Sequence, residues 1–183
     1  MIALFTATAM VADVPYHTKT IAGLEAALIT TGGRPAAVER ITQKKYLFIY
    51  FSAHWCPPCR AFTPKLVEFY NAHIQNGDFE LLFISSDKGQ SEMDEYMKVT
   101  SMPWVAAKLG TKKAKALKEM YGVTGIPCLV LIDENDQLLA SSFEGTTYRG
   151  AGVALKKYRA IETNSKRPNK APEPGSTTVT PPG

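Results

Sequence analysis

Cys56 and Cys59 are the residues of this chain best suited to covalent chemistry. They stand in the run Ser52-Ala53-His54-Trp55-Cys56-Pro57-Pro58-Cys59-Arg60. A thiolate attacks a disulfide sulfur, and a second thiol close by can resolve the mixed disulfide that forms. The same pair could instead supply two ligands to zinc, but a structural zinc site wants four. Cys128, with one of His17, His54 or His73, could complete such a set in principle. The redox reading of a Cys-x-x-Cys pair is the commoner one, and three cysteines are too few and too odd for a disulfide framework.

The residues on either side say how the pair is positioned. Tyr46-Leu47-Phe48-Ile49-Tyr50-Phe51 is a continuous apolar run rich in aromatic and β-branched residues. Such a run predicts a strand buried on both faces of a sheet. From Pro57 onward Phe62, Leu66, Phe69 or Tyr70, and Ile74 recur at helical steps. A helix beginning at or just after Cys56 sets unpaired N–H groups and a positive dipole end beside that sulfur. The Cys56 pKa is therefore expected to fall. Pro57 suits a helix start, where its missing N–H costs nothing. Cys59 falls on the same helical face one turn deeper, so Cys56 is expected to attack and Cys59 to resolve. The competing reading is an inert buried pair or a static disulfide. The strand-to-helix junction, with Trp55 before it and Pro64 after it, speaks against that.

The rest of the chain reads as an α/β domain. Residues 13–23 form a polar lead-in, Leu24 to Ile29 a short helix or strand, and Thr30 to Pro35 a turn. Ala36 to Ile41 is a weak strand or connector. Phe79 to Ser85 is a second buried strand, after a helix stop at Asn76-Gly77-Asp78. Ser91 to Val99 and Thr111 to Tyr121 read as helices, the latter closed by Gly122. Cys128 to Asp133 is a third strand, with Gln137 to Phe143 returning as its hairpin partner. Tyr148 to Ile161 is the last helix. Crossover helices imply parallel pairing and the final turn an antiparallel hairpin, hence a mixed sheet flanked by helices. Residues 1–23 are expected to be an N-terminal arm or truncated signal peptide and 24–163 the folded domain. Residues 164–183, rich in Pro, Ser, Thr and Lys, are expected to be a disordered tail.

Composition bounds the rest. Of 183 residues 45% are hydrophobic and 21% charged, which allows one sizeable core. A net charge of +4 is too weak to argue for nucleic acid. Met1 to Ala12 is uncharged and mostly apolar or small, with Ala7 and Ala9 in an A-x-A arrangement. It is too short to span a membrane, and no other segment is long and apolar enough. It is similar to the apolar part of a signal peptide without the positive n-region, so export to a periplasm or secretion is expected, the alternative being the cytoplasm.

Trp-Cys-Pro-Pro-Cys-Arg after Phe51-Ser52-Ala53 resembles the active site of tryparedoxins and nucleoredoxins, a branch of the thioredoxin superfamily. Met102-Pro103-Trp104, the segment Tyr121 to Pro127, and Leu131-Ile132-Asp133 followed by a hairpin agree with it. The resemblance covers roughly residues 24–158 and is most specific at 51–60 and 121–127. It implies a thioredoxin fold and a thiol–disulfide oxidoreductase needing no cofactor. It implies that Pro127 is a cis-proline facing the two cysteines, that the Ile126 backbone pairs with the substrate chain, and that Trp55 is an apolar wall beside the sulfur. Pro57 and Pro58 join Trp55, Ile126 and Pro127 as expected substrate contacts. Its implied partners are protein disulfides or dithiols and an upstream dithiol donor, with the chain a monomer.

Two positions depart from thioredoxins proper. Tyr50 stands where they have a buried aspartate that helps move the second thiol's proton, and a tyrosine is no carboxylate base near neutral pH. Cys128 stands where Thr is usual after the cis-proline. A small buried hydrophobe is the better reading of it than a third redox thiol. His54 either tunes the Cys56 thiolate or is a plain loop histidine. Lys108, Lys112, Lys113, Lys115 and Lys118 read better as a solvated face than as a dock for an acidic partner, and Trp104 as a packing residue. Against the exchange enzyme stand a peptide- or metal-binding module without redox turnover, and a single-Cys peroxidase, which the Cys-x-x-Cys pair disfavours.

Overall fold

A computed structural model describes residues 15–75 and 77–165. The expectations for Met1–Ala12 and for the tail beyond residue 165 lie outside them. In chain order the elements are α1 (Thr18–Ile21), a 3-10 turn (Glu25–Ala27), β1 (Leu28–Ile29), α2 (Glu39–Thr42), β2 (Tyr46–Ser52), α3 (Pro57–His73), β3 (Phe79–Ser85), α4 (Gln90–Val99), β4 (Val105–Ala107), α5 (Lys112–Met120), β5 (Cys128–Ile132), β6 (Leu138–Ser141), β7 (Phe143–Glu144), β8 (Thr147–Tyr148) and α6 (Gly152–Ser165).

The main sheet has the order β1-β4-β3-β2-β5-β6. β2, β3 and β4 run parallel, joined by crossovers through α3 and α4. β1, β5 and β6 add antiparallel neighbours. Side chains alternate across each strand, and both faces are covered, which is why the strands read as unbroken apolar runs. Phe48, Tyr50, Leu81, Phe83, Leu129 and Leu131 pack with Leu66 and Phe69 of α3, Tyr96 of α4 and Tyr158 of α6. Leu47, Ile49, Phe51, Leu82, Ile84 and Val130 pack on the other face with Ile21, Leu24, Ile41 and Leu117 of α5. Trp104 is fully buried, edge-on to Tyr50 and Tyr70, in the packing role expected of it.

The structure departs from the sequence reading at the short elements. β4 was not anticipated. Three residues carry no readable periodicity, and β4 exists because it pairs with β3 on one side and β1 on the other. Residues 36–41 hold the start of α2 rather than a strand. Tyr148 begins no helix. It pairs with Phe143 in a hairpin whose tip glycine, Gly145, takes the φ of +58° that such a turn requires, and α6 starts at Gly152. The lead-in is also less polar in effect than in composition. Tyr16 N–H donates to the Thr42 carbonyl, His17 Nε2 lies 2.8 Å from the Lys44 carbonyl, and His17, Thr20 and Ile21 are buried. Burial pushes the His17 imidazole pKa down.

Candidate functional site

β2 delivers the chain to Ser52, and the turn through Ala53 and His54 ends at Cys56, the N-cap of α3. Cys56 has extended backbone (φ −90°, ψ 110°), while Pro57 and Pro58 open the helix where neither proline removes a needed donor. The Cys59 N–H, one of the orphan donors of the first turn, lies 3.3 Å from Cys56 Sγ. The two sulfurs are joined as a disulfide, with Cα atoms 5.2 Å apart. Cys56 is 3% exposed and Cys59 is fully buried. The Ile126 carbonyl oxygen sits 3.8 Å from Cys56 Sγ, and Ala53, Cys56, Cys59 and Ile126 form one small apolar cluster. The Ile126–Pro127 peptide bond is cis. The Tyr148 hydroxyl donates to the Pro127 carbonyl at 3.2 Å, so the β7–β8 hairpin braces this loop. Trp55, Cys56, Cys59, Ile126 and Pro127 are thus brought together, with Pro57 and Pro58 exposed at the helix start.

Trp55 is 55% exposed yet tethered. Its indole N–H donates to the Ser86 carbonyl at 3.1 Å. The next residue, Asp87, is buried and accepts the His54 N–H at 2.7 Å and the Ser85 hydroxyl at 2.8 Å. The end of β3 therefore grips the dipeptide preceding the cysteine. Arg60 closes the turn from the other side, its guanidinium donating to the His54 carbonyl at 2.7 Å. Ser85, Ser86 and Asp87 were missed in the sequence. The available signal was a run of short polar residues at the carboxyl end of a strand parallel to β2, the usual place for site residues in such sheets.

Beneath Cys59 lies a buried hydroxyl cluster of Ser52, Tyr50, Thr63 and Tyr96. Thr63 donates its one hydroxyl proton to the Cys59 carbonyl at 3.0 Å. Tyr50 at 2.9 Å and Tyr96 must therefore donate to Thr63, and Ser52 to Tyr96 at 3.2 Å. All four groups are neutral donors, and burial raises the Tyr50 pKa far above that of a free phenol. The Tyr50 position thus carries no base near neutral pH, as its residue type implies.

The remaining candidates separate. Cys128 pairs with Phe51 across β2–β5 and packs in the cluster on the α5 face, not with Cys56 and Cys59. Burial pushes its thiol pKa up, opposed by the Ser142 and Ser141 hydroxyls. His54 stacks on Tyr96, ring centroids 5.3 Å apart. Among the described residues no group of three His, Cys, Asp or Glu side chains comes together as a metal site, so Cys128 and the histidines do not assemble around the cysteine pair. No helix among them is long and apolar enough to cross a membrane.

The thioredoxin-like family model matches residues 43–138, more than half of the chain. Probable nucleoredoxin 1 of Arabidopsis thaliana is 49% identical over 94 residues, which are 51% of this chain and 16% of that protein. The tryparedoxin of Trypanosoma brucei brucei is 42% identical over 90 residues, 49% of this chain and 61% of that one. Both spans fall short of two thirds of the relative's length. Among solved structures, tryparedoxin II complexed with glutathionylspermidine superposes with a TM-score of 0.61 at 26% identity, covering 86% of this chain and 97% of that one. The residues that the family model matches include the cysteine pair, its strand and helix, and the Ile126–Pro127 loop, and on these grounds the chain belongs to the thioredoxin-like family, on the branch of the tryparedoxins and nucleoredoxins.

Proposed function

We propose that this chain exchanges dithiol for disulfide with protein substrates through Cys56 and Cys59. The observation that carries the reading is the pair itself, held at the amino end of α3 with its outer member beside the Ile126 carbonyl. In the reduced state the Cys56 thiolate attacks one sulfur of a substrate disulfide. A mixed disulfide forms and the substrate's first thiolate leaves. The Cys59 thiol then gives up its proton and attacks Cys56, the second substrate thiolate leaves, and the Cys56–Cys59 disulfide is made. Two electrons pass to the substrate, whose two thiolates take up protons, and an upstream dithiol returns the pair to its reduced form. Trp55, Pro57 and Pro58 border the sulfurs, and the backbone at Ile126 and Pro127 offers an edge to an extended substrate segment. The solved complex of a relative with glutathionylspermidine supports a small thiol as the source of electrons.

The test is a redox titration in thiol–disulfide buffers, read by alkylation, together with reduction of a protein disulfide. The expected result is one two-electron couple, shifting tenfold per about 30 mV, lost with all turnover in the Cys56→Ser, Cys59→Ser double variant. A double variant that retains the chain's function would replace the exchange enzyme by a peptide-binding module.

A further inference from the structure

Trp55, tethered through its indole N–H, lines two clefts beside the cysteine turn. The outer one, about 260 Å³, is bordered by His54, Arg60, Lys88 and Glu92. The inner one, about 150 Å³, is lined by Trp55, Ser86, Lys118, Val123, Thr124 and Ile126. Trp55 directly precedes Cys56 and the Ile126 carbonyl is 3.8 Å from Cys56 Sγ, so two of the residues lining the inner cleft flank the reacting sulfur.

The inner cleft has one charged side chain, Lys118, and no carboxylate lines it. Lys118 Nζ donates to the Ser86 hydroxyl at 2.9 Å, a neutral partner. This bond holds the ammonium at the cleft and leaves two of its three protons free for an acceptor. The other lysines of α5 behave differently. Lys112 and Lys115 are exposed, and Lys113 reaches the Lys19 carbonyl. Of these lysines only Lys118 lines the inner cleft. Ser86 ties the arrangement together, since its carbonyl holds the Trp55 indole while its hydroxyl holds Lys118.

We infer that the inner cleft is a subsite for an acidic side chain beside the reacting cysteine of a protein substrate, with Lys118 as its counter-charge. This rests on the exchange function proposed above and adds its substrate class. Ile126, Val123 and the Trp55 ring contact the stem of a Glu side chain, and its carboxylate meets the ammonium. In the outer cleft Arg60 and Lys88 outnumber Glu92, so the second side of Trp55 does not oppose an acidic segment. A half-buried ion pair is worth about three- to fivefold in affinity.

The experiment measures kcat and KM for reduction of three cystine-bridged peptides that differ only in the residue next to the cysteine: Glu, Gln or Lys. For the wild-type chain the expected order of kcat/KM is Glu, then Gln, then Lys, with steps of about three- to fivefold, carried by KM and shrinking as salt rises. Lys118→Gln should flatten the order and Lys118→Glu should invert it, while Lys98→Glu, a charge change on α4, keeps it. Equal rates for the three peptides in the wild type, or an unchanged order in Lys118→Glu, would overturn the subsite and leave the exchange function standing. Reduction of none of them would sink both. A Lys118 dependence seen with glutathione disulfide but absent in the peptide series would move the carboxylate to a small-molecule thiol and overturn the protein assignment.

Discussion

Cys56 and Cys59 differ in what surrounds their sulfurs. Cys56 caps a helix, receives the Cys59 N–H and keeps a small exposed area, whereas Cys59 is closed off by Ala53 and the first turn. The amino end of α3 favours negative charge at Cys56 only. In the reduced chain, iodoacetamide at mildly acidic pH should therefore label Cys56 well before Cys59, as read by peptide mass mapping. Faster labelling of Cys59 would reverse the two roles. Cys128 should behave as part of the core. Its raised thiol pKa keeps it protonated, and its side chain belongs to the opposite cluster. Cys128→Ala should keep full turnover and lose about 1 kcal/mol of stability, the order expected for one small buried group. The placement of the three cysteines was legible in the sequence because it depends on spacing along one helix and one strand. The grip of Asp87 and Ser86 on His54 and Trp55 was not, since it spans 31 to 33 residues between separate elements.

At the scale of elements, β3 is fastened to α2 and α3 by one buried carboxylate. Glu80 is 3% exposed and accepts from Arg40 Nη2 at 3.0 Å, from the Tyr70 hydroxyl at 2.9 Å and from the Leu81 N–H at 2.8 Å. Burial raises its pKa despite the Arg40 charge and these donors. In the window above the ordinary carboxyl value of 4.5, the folded chain then holds more protons at Glu80 than the unfolded chain. Its contribution to stability is largest below that window and declines as pH rises through it. Chemical denaturation of wild type and Glu80→Gln across pH 4 to 7.5 should show the wild type losing stability relative to the variant as pH rises. A gain with rising pH would contradict the raised pKa. Glu80→Ala, which leaves the buried Tyr70 hydroxyl without its acceptor while Arg40 keeps the Pro103 carbonyl, should cost about 1–3 kcal/mol. Nothing in the sequence marked Glu80, because it sits inside a run read only for its apolar residues. The long elements were legible: β2, α3, β3 and β5 carry enough periodicity to stand alone. β4 and the β7–β8 hairpin have two or three residues a strand and form only through their neighbours, which no local pattern records.

For the molecule as a whole, the sheet order places the end of β2 between the end of β3 and the start of β5. That single arrangement gathers the cysteine pair, the Ser86–Asp87 segment and the Ile126–Pro127 loop at one end of the central strands. The central claim, exchange through a mixed disulfide on Cys56, is tested most directly by trapping. Cys59→Ser and Cys56→Ser are each mixed with a disulfide-bonded protein substrate, and the covalent adducts are counted on non-reducing gels and by mass. Cys59→Ser should accumulate a mixed disulfide on Cys56, and should do so equally with Cys128→Ser added, while Cys56→Ser should trap none. Continued turnover by Cys59→Ser that stops only when Cys128 is also replaced would make Cys128 the resolving thiol. An absence of adduct in both variants, with wild-type function retained by Cys56→Ser, would contradict the exchange mechanism itself.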